Sequence, residues 1–283
     1  MKLGLVVFLT DEVIDPVRLA KEAEARGFHS VYFPEHTHIP VARNTPHPLE
    51  GRDFNPAYRR TLDPYIALAA ASSVTERLQL GTGIGVVALH DPIILAKELA
   101  TLDYLSGGRL VLGIGYGWNH DEMHHHGIDP ATRRGRTREV MLAMTELWSK
   151  EVAEFHGKHV EFGPSWAWPK PVQQPRPRVL IGGPAAPKTF AHIAEFGDGW
   201  LPLGASGLRR SIPELHQAFT DAGRDPSEAQ IVVMDGPPTE DKLAYFDSLG
   251  VEEVAIWVPP GDTDDTLRVL DDYAKRYPAL LPS

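Results

Sequence analysis

The sequence predicts a (β/α)8 barrel, of the kind also called a TIM barrel, on three observations. Short apolar runs alternate with helix-length amphipathic ones along the 283 residues, the rhythm of βα units around a parallel sheet. The apolar runs are nearly continuous, as in strands buried on both faces. No strand is followed by a GxGxxG that opens a helix with an acidic residue about 20 positions on, so the open dinucleotide-binding sheet lacks its fingerprint. A chain of this length with 42% hydrophobic residues is expected to form one domain over residues 1–283.

The elements follow in order. Residues 3–8 are apolar and run straight into Asp11 and Glu12 without a small-residue cleavage site, so they read as a buried first strand and not as a signal peptide. Asp15-Pro16 opens the first helix, to residue 26, as an N-cap followed by a first-turn proline would. Residues 30–33 are the second strand. After it, residues 34–60 form an insertion with five prolines and Arg43, Arg52, Arg59 and Arg60, too long for an ordinary connection. Asp63-Pro64 starts the second helix, to 74, and 78–83 is the third strand; Asp91-Pro92 starts the third helix, to 105. Gly107-Gly108 turns the chain into the fourth strand, 109–114, and 134–148 is the fourth helix. A second insertion, 152–177, carries a small hairpin at 155–162. Strands at 178–181, 199–203, 231–234 and 253–258 and helices at 187–196, 212–222, 240–249 and 264–275 complete eight units. Both insertions are expected over the C-terminal side of the sheet, where barrel sites are built.

The formal net charge of −10 argues against nucleic acid or an anionic membrane surface as partner, leaving a small-molecule substrate as the expectation. The absence of cysteine excludes disulfides, thiolate nucleophiles and cysteine-zinc sites. No run reaches the roughly 18 apolar residues of a membrane span, and a cytoplasmic protein is expected.

Chemistry is expected at the strand ends. The fourth strand finishes Gly113-Ile114-Gly115-Tyr116-Gly117, which strips side chains where backbone emerges and suits a flat ligand. Where the second strand emerges stands His36, whose imidazole can exchange a proton near neutral pH; His38, two residues on, is a pocket candidate. After the fifth strand, Gly182-Gly183-Pro184-Ala185 opens a helix whose free N–H groups suit a phosphate. Trp166 and Trp168 read either as loop packing or as a wall of the substrate pocket. His120 and His124 stand at i and i+4, but without the second-position glutamate of HExxH they read as solvated loop histidines, and no metal is expected.

Pro34-Glu35-His36-Thr37-His38-Ile39-Pro40, Arg60-Thr61-Leu62-Asp63-Pro64, Gly81-Thr82-Gly83-Ile84, the block 91–119, and Phe155-His156-Gly157 with Pro169-Lys170-Pro171 together resemble the luciferase-like monooxygenase family, nearest to its F420-dependent oxidoreductases. The resemblance covers roughly the first 205 residues. It implies a flavin-type ring at the C-terminal strand ends, usually in a homodimer. It puts a non-prolyl cis peptide at Gly83-Ile84 against the ring, with His36 as the active-site histidine. It places Gly115, Gly117, Trp118 and Asn119 along the ring or its tail, and Gly182 to Ala185 at the cofactor's phosphate. It also sets Trp118 where sugar-phosphate dehydrogenases of the family carry a glutamate acid, which speaks against that substrate. The implied function is hydride transfer between coenzyme F420 and a small organic molecule. An FMN-dependent monooxygenase fed by a separate reductase is the alternative within the family. A metal-dependent barrel hydrolase, suggested by His36-Thr37-His38, and a non-catalytic flavin-binding barrel stand further off.

Overall fold

The computed structural model describes residues 1–42, 44–46 and 56–281. Its strands are β1 (Lys2–Val6), β2 (Ser30–Phe33), β3 (Gln79–Thr82), β4 (Leu110–Ile114), β5 (Ala153–His156), β6 (Glu161–Ser165), β7 (Arg178–Gly182), β8 (Gly199–Leu201), β9 (Gln230–Asp235) and β10 (Glu253–Trp257). Eight of them close a parallel barrel in the order β1, β10, β9, β8, β7, β4, β3, β2, while β5 and β6 pair antiparallel as the expected hairpin. The helices are α1 (Pro16–Ala25), α2 (Pro64–Ser72), α3 (Pro92–Ser106), α4 (His120–His125), α5 (Arg133–Ser149), α6 (Pro187–Phe196), α7 (Leu208–Asp221), α8 (Glu240–Asp247) and α9 (Thr263–Arg276).

Local chemistry accounts for several boundaries. Asp15, Asp63 and Asp91 each cap the helix whose first residue is the following proline, accepting from the backbone N–H of Arg18, Ile66, and Ile93 and Ile94. α3 stops at Gly107, whose φ of 68° closes the helix in the left-handed region. Inside the barrel, Val6, Tyr32, Val111, Leu180, Leu201, Val232, Met234 and Ala255 interdigitate, with Ile84 and Trp257 above them at the C-terminal mouth. Below lie Ser30, Tyr32 and Glu253, a buried polar cluster at the barrel's base. No helix among the described residues is long and apolar enough to cross a membrane.

Three expectations change. α7 begins at Leu208, four residues before the expected start, and runs through Pro213. Leu208, Ile212, Leu215 and Phe219 recur at helical spacing and are buried, and that packing outweighs the hydrogen bond a mid-helix proline removes. The histidine segment is not a loop: Asn119 caps α4, its Oδ1 accepting from Glu122 N. The second insertion stays off the mouth. Its hairpin runs along α5, where Glu139 accepts from the N–H of His159 at 2.6 Å and of Val160 at 3.1 Å. The first insertion does fold over the mouth at both of its ends; Arg43 and Arg52 lie outside the described residues. Arg60 pairs with Asp11 and Glu12.

Candidate active site

As the chain leaves β2, successive side chains point to opposite sides, and each ties down a different element. Glu35, buried, reaches the segment after β3: its Oε2 accepts from Val86 N at 2.6 Å, its Oε1 lies 2.5 Å from His90 Nε2, and its own N–H donates to Ile84 O at 3.1 Å. Burial works against a charge on His90, yet the Glu35 carboxylate holds its proton more tightly than usual. His36 turns the other way, to α4. Its Nδ1 lies 2.8 Å from Glu122 Oε2, with both side chains nearly buried. Glu122 Oε1 accepts from Thr37 N at 2.9 Å and from Thr37 Oγ1 at 3.2 Å. Burial pushes the Glu122 carboxyl up, but His36 and Thr37 outweigh it and the net position is below the ordinary value.

The Gly83-Ile84 peptide is cis. Gly85 then bridges to β4, its N–H donating to Gly113 O and its carbonyl accepting from Gly115 N, at 2.8 and 2.9 Å. The Ile84 side chain thereby lies over the ends of β4 and β7. A Cβ on Gly115 would stand 2.8 Å from Ile84 Cγ2, and one on Gly182 would collide with Ile84 Cδ1. Glycine at these two positions is a requirement of that close approach.

One wall of the mouth is a chain of half-buried rings. Trp257 stacks on Phe8 at 5.5 Å, Phe8 meets Tyr58 at 5.1 Å, Tyr58 meets His36 at 4.9 Å, and His36 meets Trp118 at 5.7 Å. Next to Trp118, Asn119 is buried and its Nδ2 has no hydrogen-bond partner among the described residues. Gly117, with φ of 73°, makes the turn between Tyr116 and Trp118. At the end of β7, Gly183 adopts φ of 139° and its carbonyl accepts from Trp200 Nε1 at 3.0 Å. Pro184 and Ala185 are exposed, and α6 starts after Ala186 with no side-chain cap.

Of the residues singled out from the sequence, the structure brings His36, Gly83, Ile84, Gly115, Gly117, Trp118 and Asn119 to the mouth, with Gly182 under Ile84 and Gly183, Pro184 and Ala185 leading away to α6. His38 lies beside them but faces the histidines after Glu122: its Nε2 is 2.9 Å from His125 Nδ1, and its Nδ1 is 3.1 Å from Thr37 Oγ1. Trp166 and Trp168 are not at the mouth. Trp166 lines a small groove with Ile93, Ala96 and Leu147, Trp168 O accepts from Lys97 Nζ, and both indoles are exposed on the outer face of α3 and α5. Sequence reasoning missed Glu35, Glu122, Phe8, Tyr58 and Trp257. The signal available for Phe8 and Trp257 was an aromatic at the C-terminal end of a barrel strand.

The site can seat a flat polycycle. It offers an apolar bulge in Ile84, a wall of rings, an imidazole whose Nδ1 is engaged by a carboxylate, and, at Asn119, an amide donor without a partner among the described residues. Among the described residues no group of three or more His, Cys, Asp or Glu is placed to hold a metal ion. A groove of about 820 Å3 between α6 and α7, lined by Phe190, Ala194, Glu214, Ala218 and Arg224, lies on the outer wall away from these residues.

The sequence model of a family described as luciferase-like monooxygenase matches residues 10–238. The chain belongs to that family. Within reach of it is an uncharacterized protein of Mycobacterium tuberculosis, 45% identical over 279 residues, an alignment covering 98% of each chain. Among solved structures, a monooxygenase from Streptomyces bottropensis superimposes with a TM-score of 0.76 at 24% identity, over 97% of this chain and 98% of that one. An F420-dependent secondary alcohol dehydrogenase, in complex with an F420-acetone adduct, gives 0.76 at 18% identity over 99% and 98%. Both likenesses are of fold, the barrel that family members share.

Proposed function

We propose that this family member is an F420-dependent oxidoreductase acting on a small organic substrate at the barrel mouth. The observation that carries the reading is the placement of His36. Its Nδ1 is bound to Glu122, its ring stands against Trp118 and Tyr58, and the Gly83-Ile84 bulge lies across the same opening. When bound, the deazaflavin would supply hydride transfer at carbon, with little reactivity toward oxygen. Residues of this chain would do the rest. Ile84 backs the ring, Gly115 and Gly117 to Asn119 line its edge, and Gly182 to Ala185 lie on the side of its phosphate. His36, held by Glu122 in the tautomer with a proton on Nδ1, presents Nε2 to the substrate and exchanges a proton there. The belt of rings excludes water.

A luciferase-like monooxygenase using reduced FMN from a separate reductase is the second reading, favoured by the equal structural likeness to the Streptomyces enzyme. Titrating the purified protein with each cofactor separates the two. The proposal expects F420 to bind with micromolar or better affinity; FMN binding at that level with no deazaflavin binding overturns it. In the loaded protein, His36→Ala is expected to keep cofactor affinity and to lower turnover roughly 100-fold, the usual contribution of a placed acid or base. Pairing of two copies belongs to the same proposal. Ile66, Ile93 and Ile94 on α2 and α3 offer exposed apolar surface for it, and sedimentation equilibrium tests the state.

A further inference from the structure

The segment that carries Ile84 is held from two sides. On one side Gly85 exchanges main-chain hydrogen bonds with Gly113 and Gly115 at the end of β4, at 2.8 and 2.9 Å. On the other stands Glu35, whose N–H donates to Ile84 O at 3.1 Å and whose Oε2 accepts from Val86 N at 2.6 Å. Residues 84 and 86, either side of the Gly85 bridge, are thus gripped by the main chain and the side chain of one residue. The first support is set by the sheet, the second by a carboxylate.

That carboxylate is itself braced from outside the barrel. Its other oxygen, Oε1, lies 2.5 Å from His90 Nε2, and Tyr65 OH on α2 adds a longer contact of 3.4 Å to Oε2. His90 stands one residue before Asp91, the cap of α3. Its backbone and that of Ala88 are tied to α5, where Arg136 Nη2 donates to His90 O at 3.4 Å and Arg136 Nε to Ala88 O at 2.7 Å. A chain of hydrogen bonds therefore runs from the outer helices through His90 and Glu35 to the residues flanking Gly85. The Glu35 side chain is 2% exposed and that of His90 20%, so the outer end of the brace can be altered without opening the core.

Burying a carboxylate merely to hold a loop is costly. What it supplies is two acceptor oxygens fixed relative to each other, one on Val86 and one on His90, where an amide would offer one acceptor and a pair of donors. The position of this segment matters because Ile84 sits closely on the ends of β4 and β7. Its Cγ2 is 2.8 Å from where a Cβ on Gly115 would stand, and its Cδ1 occupies the space of one on Gly182. A small displacement of the segment changes how far Ile84 stands out into the mouth.

We infer that Glu35, braced by His90, is a positioning residue for the bound ring, setting the projection of Ile84 and through it the ring's affinity and orientation. The inference rests on the reading of the mouth as a ring site. Glu35 acts through Ile84 and needs no contact with the ring itself.

Three variants test it. Glu35→Ala removes both acceptors, His90→Phe removes the brace while keeping a planar ring, and His90→Gln restores a donor. In the protein without cofactor, exchange at the Val86 amide is expected to speed roughly 10-fold in Glu35→Ala and less in His90→Phe, while the Thr37 amide, held by Glu122, keeps its wild-type rate. The wild-type protein is then titrated with F420 and, separately, with FMN. Glu35→Ala is expected to bind the recognised ring roughly 10-fold more weakly and with a displaced visible absorption band, the loss of about one hydrogen bond to a charged group. His90→Phe is expected to shift both readouts in the same direction and His90→Gln to return most of the way. A purely structural role would lower Tm and leave the spectrum of the bound ring at its wild-type position. Wild-type affinity and spectrum in both Glu35→Ala and His90→Phe overturn the inference and leave the oxidoreductase reading standing. If the wild-type protein binds neither ring, that reading fails and this inference fails with it. Should Glu35→Ala not fold, the two His90 variants decide: a loss in phenylalanine that glutamine restores supports the brace, and equal behaviour of the two overturns it.

Discussion

At the scale of single residues, the site turns on which nitrogen of His36 is free. A carboxylate at Nδ1 fixes the ring's tautomer and orientation, so Glu122 sets from behind which nitrogen the proposed chemistry would use. Glu122 also accepts from the Thr37 N–H, so a glutamine there keeps its oxygen on Thr37, turns its N–H2 onto Nδ1 and moves the imidazole proton to Nε2. Glu122→Gln is therefore expected to lower turnover roughly 10- to 100-fold, within the range for a mispositioned acid–base group. Glu122→Asp, which keeps two acceptor oxygens, is expected to recover part of that loss. Unchanged turnover in the glutamine variant would show that the carboxylate does not position the imidazole. His36 was legible because it sits at a strand end; Glu122 was not, because the pair is separated by 86 positions and only the fold brings it together.

At the scale of elements, α4 works as a two-point clamp on the chain that leaves β2. Glu122 holds Thr37, and its neighbour Asp121 holds the residues further on, its Oδ2 accepting from Asn44 N at 3.0 Å, Thr45 N at 2.9 Å and Thr45 Oγ1 at 2.7 Å. The hydrogen bonds from Thr45, its hydroxyl above all, hold the Asp121 pKa down to about 2, so the carboxylate keeps its grip throughout the neutral and mildly acid range. Hydrogen exchange reads this directly. Asp121→Ala is expected to speed exchange at the Asn44 and Thr45 amides at least 10-fold while the Thr37 amide stays protected by Glu122; equal loss at all three would mean that α4 itself had come apart. The six residues of α4 carry three histidines and two acids, too few apolar positions to show a helical period, which is why the segment read as a loop. Its cap, Asn119, was the one available start signal. In α7 the conflict ran the other way, since the expected start at residue 212 left out Leu208 and Ser211, whose burial extends the helix backwards.

For the whole molecule, the barrel was legible because its strands are buried on both faces and therefore apolar without alternation, a pattern that composition alone carries. The exception inside it has a measurable consequence. Glu253, at the start of β10, is 1% exposed at the base of the barrel, where Ser30 Oγ and, at 3.2 Å, Tyr32 OH donate to its carboxylate. Burial raises its pKa, and the bonds from Ser30 and the field of Arg178 offset that only in part. A carboxyl whose folded pKa lies above its unfolded value of about 4.5 binds its proton more tightly in the native state. Its stabilising contribution is then complete below that pH and is lost as pH rises through the folded value, opposite to the usual behaviour of paired acids such as Glu122. Glu253→Gln keeps an acceptor for Ser30 and Tyr32 and removes the ionisation. The variant is expected to gain stability over wild type as pH is raised from about 4.5 toward 8, by on the order of 1–3 kcal/mol, the scale of desolvating a buried polar group. Denaturant midpoints measured across that range decide it, and parallel curves for the two proteins would mean that the proton on Glu253 contributes nothing to the fold.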